Sequence, residues 1–267
     1  MYEILLPVDE DERRASAQAS YVTGLPDAAA TVAATVLAVG PTDSAEEFSD
    51  YGAAVGVADD LESAGINVTR RLERGGVTRS IVDAADDLDA DGIVMGGRKR
   101  TGVSKALLGS TYVDVFNSTR RPITITDPEM AFGGDPNRLL LPVDDDVERG
   151  RHQADYVTGL PGDPADRAAT VLVVFRHQDY AGAPEHEFEE IGAAVETAER
   201  LEDAGVAVER VAVGGEVASK ILATAEDAGA GEIVMGGRKR SGVSKVLMGS
   251  TAQDVLLSAD RPVTVTG

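Results

Sequence analysis

The chain has 267 residues, 46 of them acidic and 25 basic, which gives a formal net charge of −21 at neutral pH. A charge of this sign and size repels nucleic acids and anionic membrane surfaces, so we expect neither as a partner. The sequence contains no cysteine and only three histidines. This excludes disulfide bonds, thiolate metal sites and cysteine nucleophiles, and it leaves too few histidines for a histidine-rich metal site.

The composition indicates a folded protein adapted to salt. Hydrophobic residues make up 43% of the chain, enough for a buried core, and no apolar run approaches the roughly 18 residues of a membrane span. The first residues show no basic leader followed by a long apolar stretch, so we expect no secretory signal and a cytoplasmic location. Five of the 25 basic residues are lysines. An acidic, lysine-poor surface is favoured in concentrated salt, where counter-ions screen its self-repulsion, so the composition favours a halophilic protein over an ordinary acidic one.

Along the first 126 residues, short apolar segments alternate with longer amphipathic ones. The predicted elements are a strand over 3–8, a helix over 11–24, a strand over 35–39, a helix over 45–64, a strand over 66–72, a helix over 77–88, a strand over 92–95, a helix that starts at 109–111 and ends at 120–122, and a strand over 123–126. In the second helix Ala53, Val57 and Leu61 mark one face, and Gly65 ends the helix. The third helix turns four apolar residues inward, namely Ile81, Ala84, Ala85 and Leu88.

The chain is a duplication. Residues 95–111 recur at 235–251 with 14 of 17 positions identical, and Pro7-Val8-Asp9 recurs as Pro142-Val143-Asp144. The offset grows from 135 to 140 because the second copy carries five more residues after its second predicted strand. A segment rich in proline and glycine separates the copies. We therefore predict a first domain over 1–127, a linker over 128–137 and a second domain over 138–267.

Apolar strands that alternate with amphipathic helices indicate a parallel sheet with helices on both faces. The predicted fold class is therefore α/β, with two tandem doubly wound domains of five strands each. In such sheets ligands bind beyond the carboxyl ends of the strands, at the point where the strand order reverses. The residues that follow each predicted strand are accordingly the candidates for a binding site.

Two of these strand ends carry candidate binding residues. Asp9 follows the first strand, and Gly96-Gly97 opens a basic segment after the fourth, where glycine allows close backbone approach. Gly109-Ser110-Thr111 then begins a helix, whose free N–H groups and dipole favour an anion. Four of the five lysines lie in the two copies of the basic segment, namely Lys99, Lys105, Lys239 and Lys245. The pattern predicts a phosphate site in each copy.

Each of these features also has a purely structural explanation. The basic segment could be a solvated loop paired with nearby acids, Ser110 a plain helix N-cap, and Asp9 and Asp144 caps of the helices that they precede. The sequence has neither a P-loop nor a dinucleotide-binding fingerprint. It also shows no paired carboxylates and no Ser–His pair. Its histidines occur in the second copy alone, so catalysis common to both copies cannot use them.

Taken together, the motifs resemble the universal stress protein family in its tandem form, over essentially the whole chain. The resemblance rests on the order of a strand followed by Pro-Val-Asp, a second strand ending in Val39, a strand followed by Met95-Gly96, the basic loop, Gly109-Ser110 and a final strand. Many members of that family bind ATP through G-x-x-G, nine residues and then G-[ST]. The spacing of the first and last glycines matches in both copies. The sequence departs from the pattern at four positions: Lys99 and Lys239 replace the second glycine, and Tyr112 and Ala252 replace a later hydroxyl.

The resemblance implies an adenine-nucleotide-binding protein of the stress response, regulatory in role, with ATP or another adenine nucleotide as ligand and magnesium left open. In the first copy it implies contacts to adenine and ribose by Pro7, Val8, Asp9 and Val39, and contacts to ribose and phosphates by Met95, Gly96, Arg98, Lys99, Gly109, Ser110 and Thr111. In the second copy the same contacts fall to Pro142, Val143, Asp144, Val174, Met235, Gly236, Arg238, Lys239, Gly249, Ser250 and Thr251. Because the loops agree so closely, we expect two sites of comparable affinity.

Family members commonly pair through their last strand, which implies an intramolecular pseudo-dimer of the two halves or, alternatively, a homodimer. Two other classes of function stay open. One is an interaction module that never binds a nucleotide, and the other is a slow ATPase or an ATP-dependent transferase. The missing catalytic pairs favour a binding protein over an enzyme.

Overall fold

A computed structural model describes residues 1–97, 110–132, 134–176, 186–237 and 249–267 of the chain. These residues form two compact units, one within 1–132 and the other from 134 onward. Of the candidate site residues, Arg98, Lys99, Gly109, Arg238 and Lys239 lie outside the described residues, as do Lys105 and Lys245.

The first unit alternates strands and helices as the apolar pattern predicts. Its elements are β1 (Tyr2–Pro7), α1 (Glu12–Thr23), α2 (Ala28–Thr31), β2 (Val32–Gly40), α3 (Gly52–Ser63), β3 (Asn67–Arg74), α4 (Val77–Asp87), β4 (Gly92–Gly96), α5 (Ser110–Ser118) and β5 (Ile123–Thr126).

The second unit repeats this order apart from the short helix. Its elements are β6 (Asp135–Pro142), α6 (Val147–Gly159), β7 (Ala168–Phe175), α7 (Gly192–Asp203), β8 (Ala207–Gly214), α8 (Val217–Asp227), β9 (Ala230–Gly236), α9 (Ser250–Ser258) and β10 (Val263–Thr266).

Within each unit the strands run parallel. The strand order is β3-β2-β1-β4-β5 in the first unit and β8-β7-β6-β9-β10 in the second. Helices α1 and α3 pack together, as do α4 and α5. In this strand order, successive strands are added toward one edge of the sheet up to β3 and toward the other edge from β4 onward. The order therefore reverses between β1 and β4, and likewise between β6 and β9. This confirms the doubly wound α/β class and locates the reversal point in each unit.

The buried parts of β1 and β4, residues 4–6 and 92–95, are apolar because helices cover both faces of the sheet. Ile4, Leu5 and Leu6 of β1 are all buried, and Ile4 and Leu6 belong to one cluster with Val57 and Leu61 of α3. Burial of a side chain of this size contributes about 1.5–3 kcal/mol. Packing of these buried side chains fixes the strands in place, and with them the strand ends that carry the candidate site.

Several element boundaries differ from the prediction. The predicted helix over 45–64 is wrong in its first seven residues, because residues 48–50 form a separate 3-10 turn and α3 begins at Gly52. The backbone N–H of Glu47 donates to the Asp50 carboxylate, and such a local side-chain bond competes with the helix. Ala53 is half-buried, and the buried face of α3 runs instead through Ala54, Val57, Ala58 and Leu61.

The other differences are smaller. Leu88 is only half-buried, since it follows the last residue of α4. Strand β6 begins at Asp135, so residues 135–137 of the predicted linker are part of a strand. Over the residues that the structure describes, no helix is both long and apolar enough to cross a membrane.

Candidate functional site

At the reversal point of each sheet the two central strands stop pairing before their carboxyl ends, and we call the region beyond the last pairs the crevice. The pairing of β1 with β4 ends at Leu5 and Ile93, and that of β6 with β9 ends at Leu140 and Ile233. Beyond these pairs the two strands no longer run side by side. This is the place where an open α/β sheet binds its ligand.

A buried glutamine satisfies the backbone carbonyls that face this crevice. Gln18 of α1, 1% exposed, donates its Nε2 to the carbonyl of Pro7 at 3.0 Å and to that of Val94 at 2.7 Å. Gln153 makes both bonds at the same distances in the second unit. An unpaired buried polar group costs about 1–3 kcal/mol. The glutamine therefore stabilises the two strand ends where they separate.

Asp9 lies at the mouth of the crevice and is held by Arg14. Its Oδ2 accepts from Arg14 Nη2 at 2.6 Å and from Nε at 3.2 Å, and its Oδ1 accepts from the backbone N–H of Asp11 at 3.0 Å. Arg14 Nη1 also pairs with Asp11 at 2.7 Å. The Asp9 side chain is 49% exposed, whereas that of Arg14 is 12% exposed. The carboxylate is thus fixed in orientation but open to solvent on one side.

The second unit has an equivalent ion pair at the corresponding positions of the second copy. Arg149 Nη2 lies 2.5 Å from Asp144 Oδ2, and its Nε lies 3.1 Å from Oδ1. Its Nη1 lies 3.4 Å from the Asp146 carboxylate. The Asp144 side chain is 47% exposed. The aspartate that the sequence singled out therefore has an ion-pair partner that the sequence analysis missed, in both units.

The capping explanation of Asp9 and Asp144 is wrong. The N-caps of α1 and α6 are Asp11 and Asp146, whose carboxylates accept from the backbone N–H groups of Arg14 and Arg149, both at 3.1 Å. This hydrogen bond is the main reason that the pKa of Asp11 lies below its ordinary value. The carboxylates two residues earlier, Asp9 and Asp144, instead pair with Arg14 and Arg149 and accept from the N–H groups of the two N-cap residues.

The glycines after β4 and β9 have a structural role that the sequence analysis did not anticipate. A Cβ on Gly96 would lie 2.9 Å from Arg14 Cβ, and one on Gly236 would lie 2.7 Å from Arg149 Cβ. A Cβ on Gly97 would lie 2.8 Å from Ile125 Cγ2. The atoms that lie close to these glycines therefore belong to side chains of the protein itself.

The helix N-termini expected at the phosphate side are present. Ser110 is the exposed first residue of α5, and Thr111, which follows it, is half-buried. In the second unit Gly249 is the N-cap of α9 and Ser250 is the exposed first helical residue. Both helices have nine residues, and their first N–H groups have no partner within the helix.

One arginine connects the end of β7 with the first turn of α9 in the second unit. Arg176, directly after β7, is exposed, and its Nη2 lies 3.5 Å from Thr251 Oγ1 in the first turn of α9. The end of β7, where Val174 lies, is thus within an arginine's reach of the α9 N-terminus. The first unit has Pro41 at the corresponding position.

The remaining candidates lie at the strand ends with different exposures. Met95, Met235 and Val143 are buried, at 8%, 7% and 6% exposure. Their side chains belong to the core, so only their backbone faces a ligand. The other strand-end candidates are half-buried, namely Pro7, Val8, Val39, Gly96, Pro142, Val174 and Gly236.

The residues that the sequence analysis missed, Arg14 and Gln18, lie one helical turn apart on α1. A signal for them was present, because Arg149 and Gln153 occupy the same positions of the second copy, 135 residues later. Residues that match between copies on one face of a helix indicate a shared contact.

The sequence comparisons with known proteins point to one family. The model of the universal stress protein family matches residues 3–127 and 137–267. A universal stress protein from Mycolicibacterium smegmatis is 29% identical over 224 residues, which cover 78% of this chain and 72% of that protein.

Two crystal structures resemble the chain over nearly its full length. A universal stress protein from Archaeoglobus fulgidus has a TM-score of 0.71 at 22% identity, covering 99% of this chain and 97% of its own. A protein of unknown function from Pseudomonas aeruginosa has a TM-score of 0.64 at 19% identity, covering 100% and 92%. At these identities the likeness shows the fold.

Proposed function

The chain belongs to the universal stress protein family, and on that premise we propose that each half binds one adenine nucleotide, ATP foremost, at the carboxyl end of its sheet. The proposed role is that of a cytoplasmic regulatory protein of the stress response rather than an enzyme. One observation carries the proposal. In both units a half-exposed aspartate at the reversal point pairs with an arginine, and the Cβ of that arginine packs against the glycine at the end of the neighbouring strand.

The charges suggest how a nucleotide would lie. Asp9 and Asp11 both face Arg14, so this end of the crevice repels phosphate and suits ribose hydroxyls, which donate to a carboxylate. Phosphates are better placed at the N-terminus of α5, where free N–H groups, Ser110 and Thr111 supply donors. The family resemblance adds Arg98 and Lys99 as cations, both outside the described residues. The base would then lie toward the half-buried end of β2.

The second unit has an additional phosphate donor. Arg176 reaches the first turn of α9, and a guanidinium binds phosphate with charge-assisted hydrogen bonds. Its replacement by alanine should weaken the second site and leave the first unchanged.

The proposal is tested by titrating the full chain with ATP, ADP and AMP, with and without magnesium, by isothermal titration calorimetry. We expect two equivalents bound per chain. In Ser110→Glu and in Ser250→Glu the number should fall to one, because a carboxylate at the helix N-terminus favours the helix but repels phosphate. Ser118→Glu and Ser258→Glu, at the exposed far ends of the same helices, are the controls for the added charge.

The outcome separates the functions that the sequence left open. If the chain binds none of the three nucleotides, the interaction-module function replaces the proposal. If it binds ATP and releases ADP with turnover, the slow ATPase replaces the binding protein. The pairing of the two halves, the cytoplasmic location and the domain bounds 1–127 and 138–267 remain predictions.

A further inference from the structure

The two units agree at the reversal point but differ at the end of the neighbouring strand. The Arg–Asp pairs and the buried glutamines repeat with nearly the same distances. By contrast, the residues that follow β2 in the first unit and β7 in the second are different in size and chemistry. Under the proposed function these strand ends flank the nucleobase, so the difference bears on which base each half accepts.

In the first unit, polar groups cover the end of β2. The last residue of β2 is Gly40, and a Cβ there would lie 2.1 Å from Tyr51 Oη and 3.8 Å from Glu46 Oε2. Tyr51 Oη donates to that carboxylate oxygen at 2.7 Å, and Ser44 Oγ donates to it at 2.8 Å. The tyrosine hydroxyl and the carboxylate therefore lie directly against the strand end, next to Val39.

This polar cover is held in place by the next strand. Arg74, the last residue of β3, donates its Nε to the backbone carbonyl of Ser44 at 3.0 Å and its Nη2 to that of Glu46 at 2.7 Å. The hydroxyl hydrogen of Tyr51 is committed to Glu46. What the pair offers a ligand is thus hydrogen-bond acceptors, the exposed Glu46 carboxylate above all.

In the second unit an aromatic pair takes this place. Phe175 is the last residue of β7 and stands where the first unit has Gly40, while Ile191 stands where the first has Tyr51. The ring of His186 stacks on that of Phe175 with centroids 4.5 Å apart and planes at 19°. His186 Nδ1 lies 2.7 Å from Glu190 Oε2. This strand end is covered by stacked rings where the first unit has a carboxylate.

We infer that the two sites differ in base selectivity: the first requires an amino group at position 6 of the purine, and the second accepts a purine with or without one. In the first unit the Glu46 carboxylate accepts a hydrogen bond from the 6-amino group of adenine and repels the 6-oxygen of hypoxanthine. In the second unit the ring of Phe175 would contact the base through apolar surface, which does not distinguish an amino group from an oxygen. This inference rests on the proposed function.

The test compares ATP with inosine triphosphate, which differs by that one group, in full-length chains with a single working site. In Ser250→Glu, where only the first site binds, we expect ATP to bind about tenfold or more tighter than inosine triphosphate, the range of a hydrogen bond to a charged group. In Ser110→Glu, where only the second site binds, the two affinities should agree within about threefold.

Two substitutions connect the difference to the named residues. Glu46→Gln in the Ser250→Glu chain should remove the preference for ATP, because an amide both donates and accepts. Phe175→Leu in the Ser110→Glu chain should weaken both nucleotides by the same factor. Thermal midpoints of the variants show whether each is folded.

The results distinguish this inference from the proposed function. If the unaltered chain binds neither nucleotide, the proposed function itself has failed. If both single-site chains bind but show the same ratio of ATP to inosine triphosphate, the proposed function stands and this inference is wrong. A preference that survives Glu46→Gln also overturns it.

Discussion

The most direct test of the packing of Gly96 against Arg14 is the substitution Gly96→Ala. The added Cβ would lie 2.9 Å from Arg14 Cβ and 3.4 Å from Arg14 Cδ. The nearer atom belongs to the base of the side chain, so a rotamer change of Arg14 cannot remove the contact and α1 must shift. The backbone of Gly96 is not in the left-handed region, so the cost is steric alone.

The expected loss follows from two opposing effects. Overpacking a close contact costs about 1–3 kcal/mol, while replacing glycine restricts the unfolded chain and returns about 0.4–1 kcal/mol. We expect the free energy of unfolding of the first unit to fall by about 1–2 kcal/mol. Gly236→Ala should cost more in the second unit, because its nearest contact is 2.7 Å.

The measurement is urea unfolding at constant salt. Gly56→Ala is the matched control, because Gly56 lies inside α3 with nothing within 4 Å of its added Cβ. That substitution should raise stability by about 1 kcal/mol, the difference in helix propensity. If Gly96→Ala is as stable as the unaltered chain but loses nucleotide binding, Gly96 serves the ligand and the reasoning from Arg14 is wrong.

Three further predictions concern the core, the surface and the base side of the first unit. Gln18→Leu should lower the free energy of unfolding by about 2 kcal/mol, because the buried carbonyl of Val94 and the half-buried carbonyl of Pro7 lose their donor; an unchanged urea midpoint would contradict the role given to this glutamine. The thermal midpoint should rise steeply from low to molar salt, because counter-ions screen a net charge of −21, and a flat midpoint rejects salt adaptation. Tyr51→Phe should raise the pKa of Glu46, which the hydrogen bond from Tyr51 holds below its ordinary value.

The direction of the Glu46 pKa shift determines the pH range in which the hydrogen bond contributes to stability. A carboxyl whose pKa is lowered by folding adds stability above its unfolded pKa, and that stability is lost as the pH falls through the folded value. The same hydrogen bond raises the pKa of Tyr51, so its contribution is also lost as the pH rises above about 10. NMR titration of the Glu46 carboxyl carbon measures the shift, and an identical titration in the variant means that Tyr51 is not its cause.

Strand positions and the duplication could be predicted from the sequence because they depend on local patterns. A strand buried on both faces is expected to be a continuous apolar run, which is why the sequence predicts a strand at 92–95, where the structure has β4. The fold class followed from the alternation of such strands with amphipathic helices. The candidate aspartates and the helix N-termini followed from their place after strands.

What surrounds the candidate site was decided by tertiary structure. Gln18 meets the carbonyl of Val94, 76 residues away, and Gly96 is small because Arg14 packs against it. Helix α1 and strand β4 are brought together by the sheet order, which no local periodicity encodes. The two copies have nearly the same sequence along the basic segment. At the end of the second strand, however, their surfaces differ, because the Tyr51 side chain covers it in one half and Phe175 forms it in the other. A side chain's chemistry is visible in the sequence, but its partner is set by the packing of elements far apart in the chain.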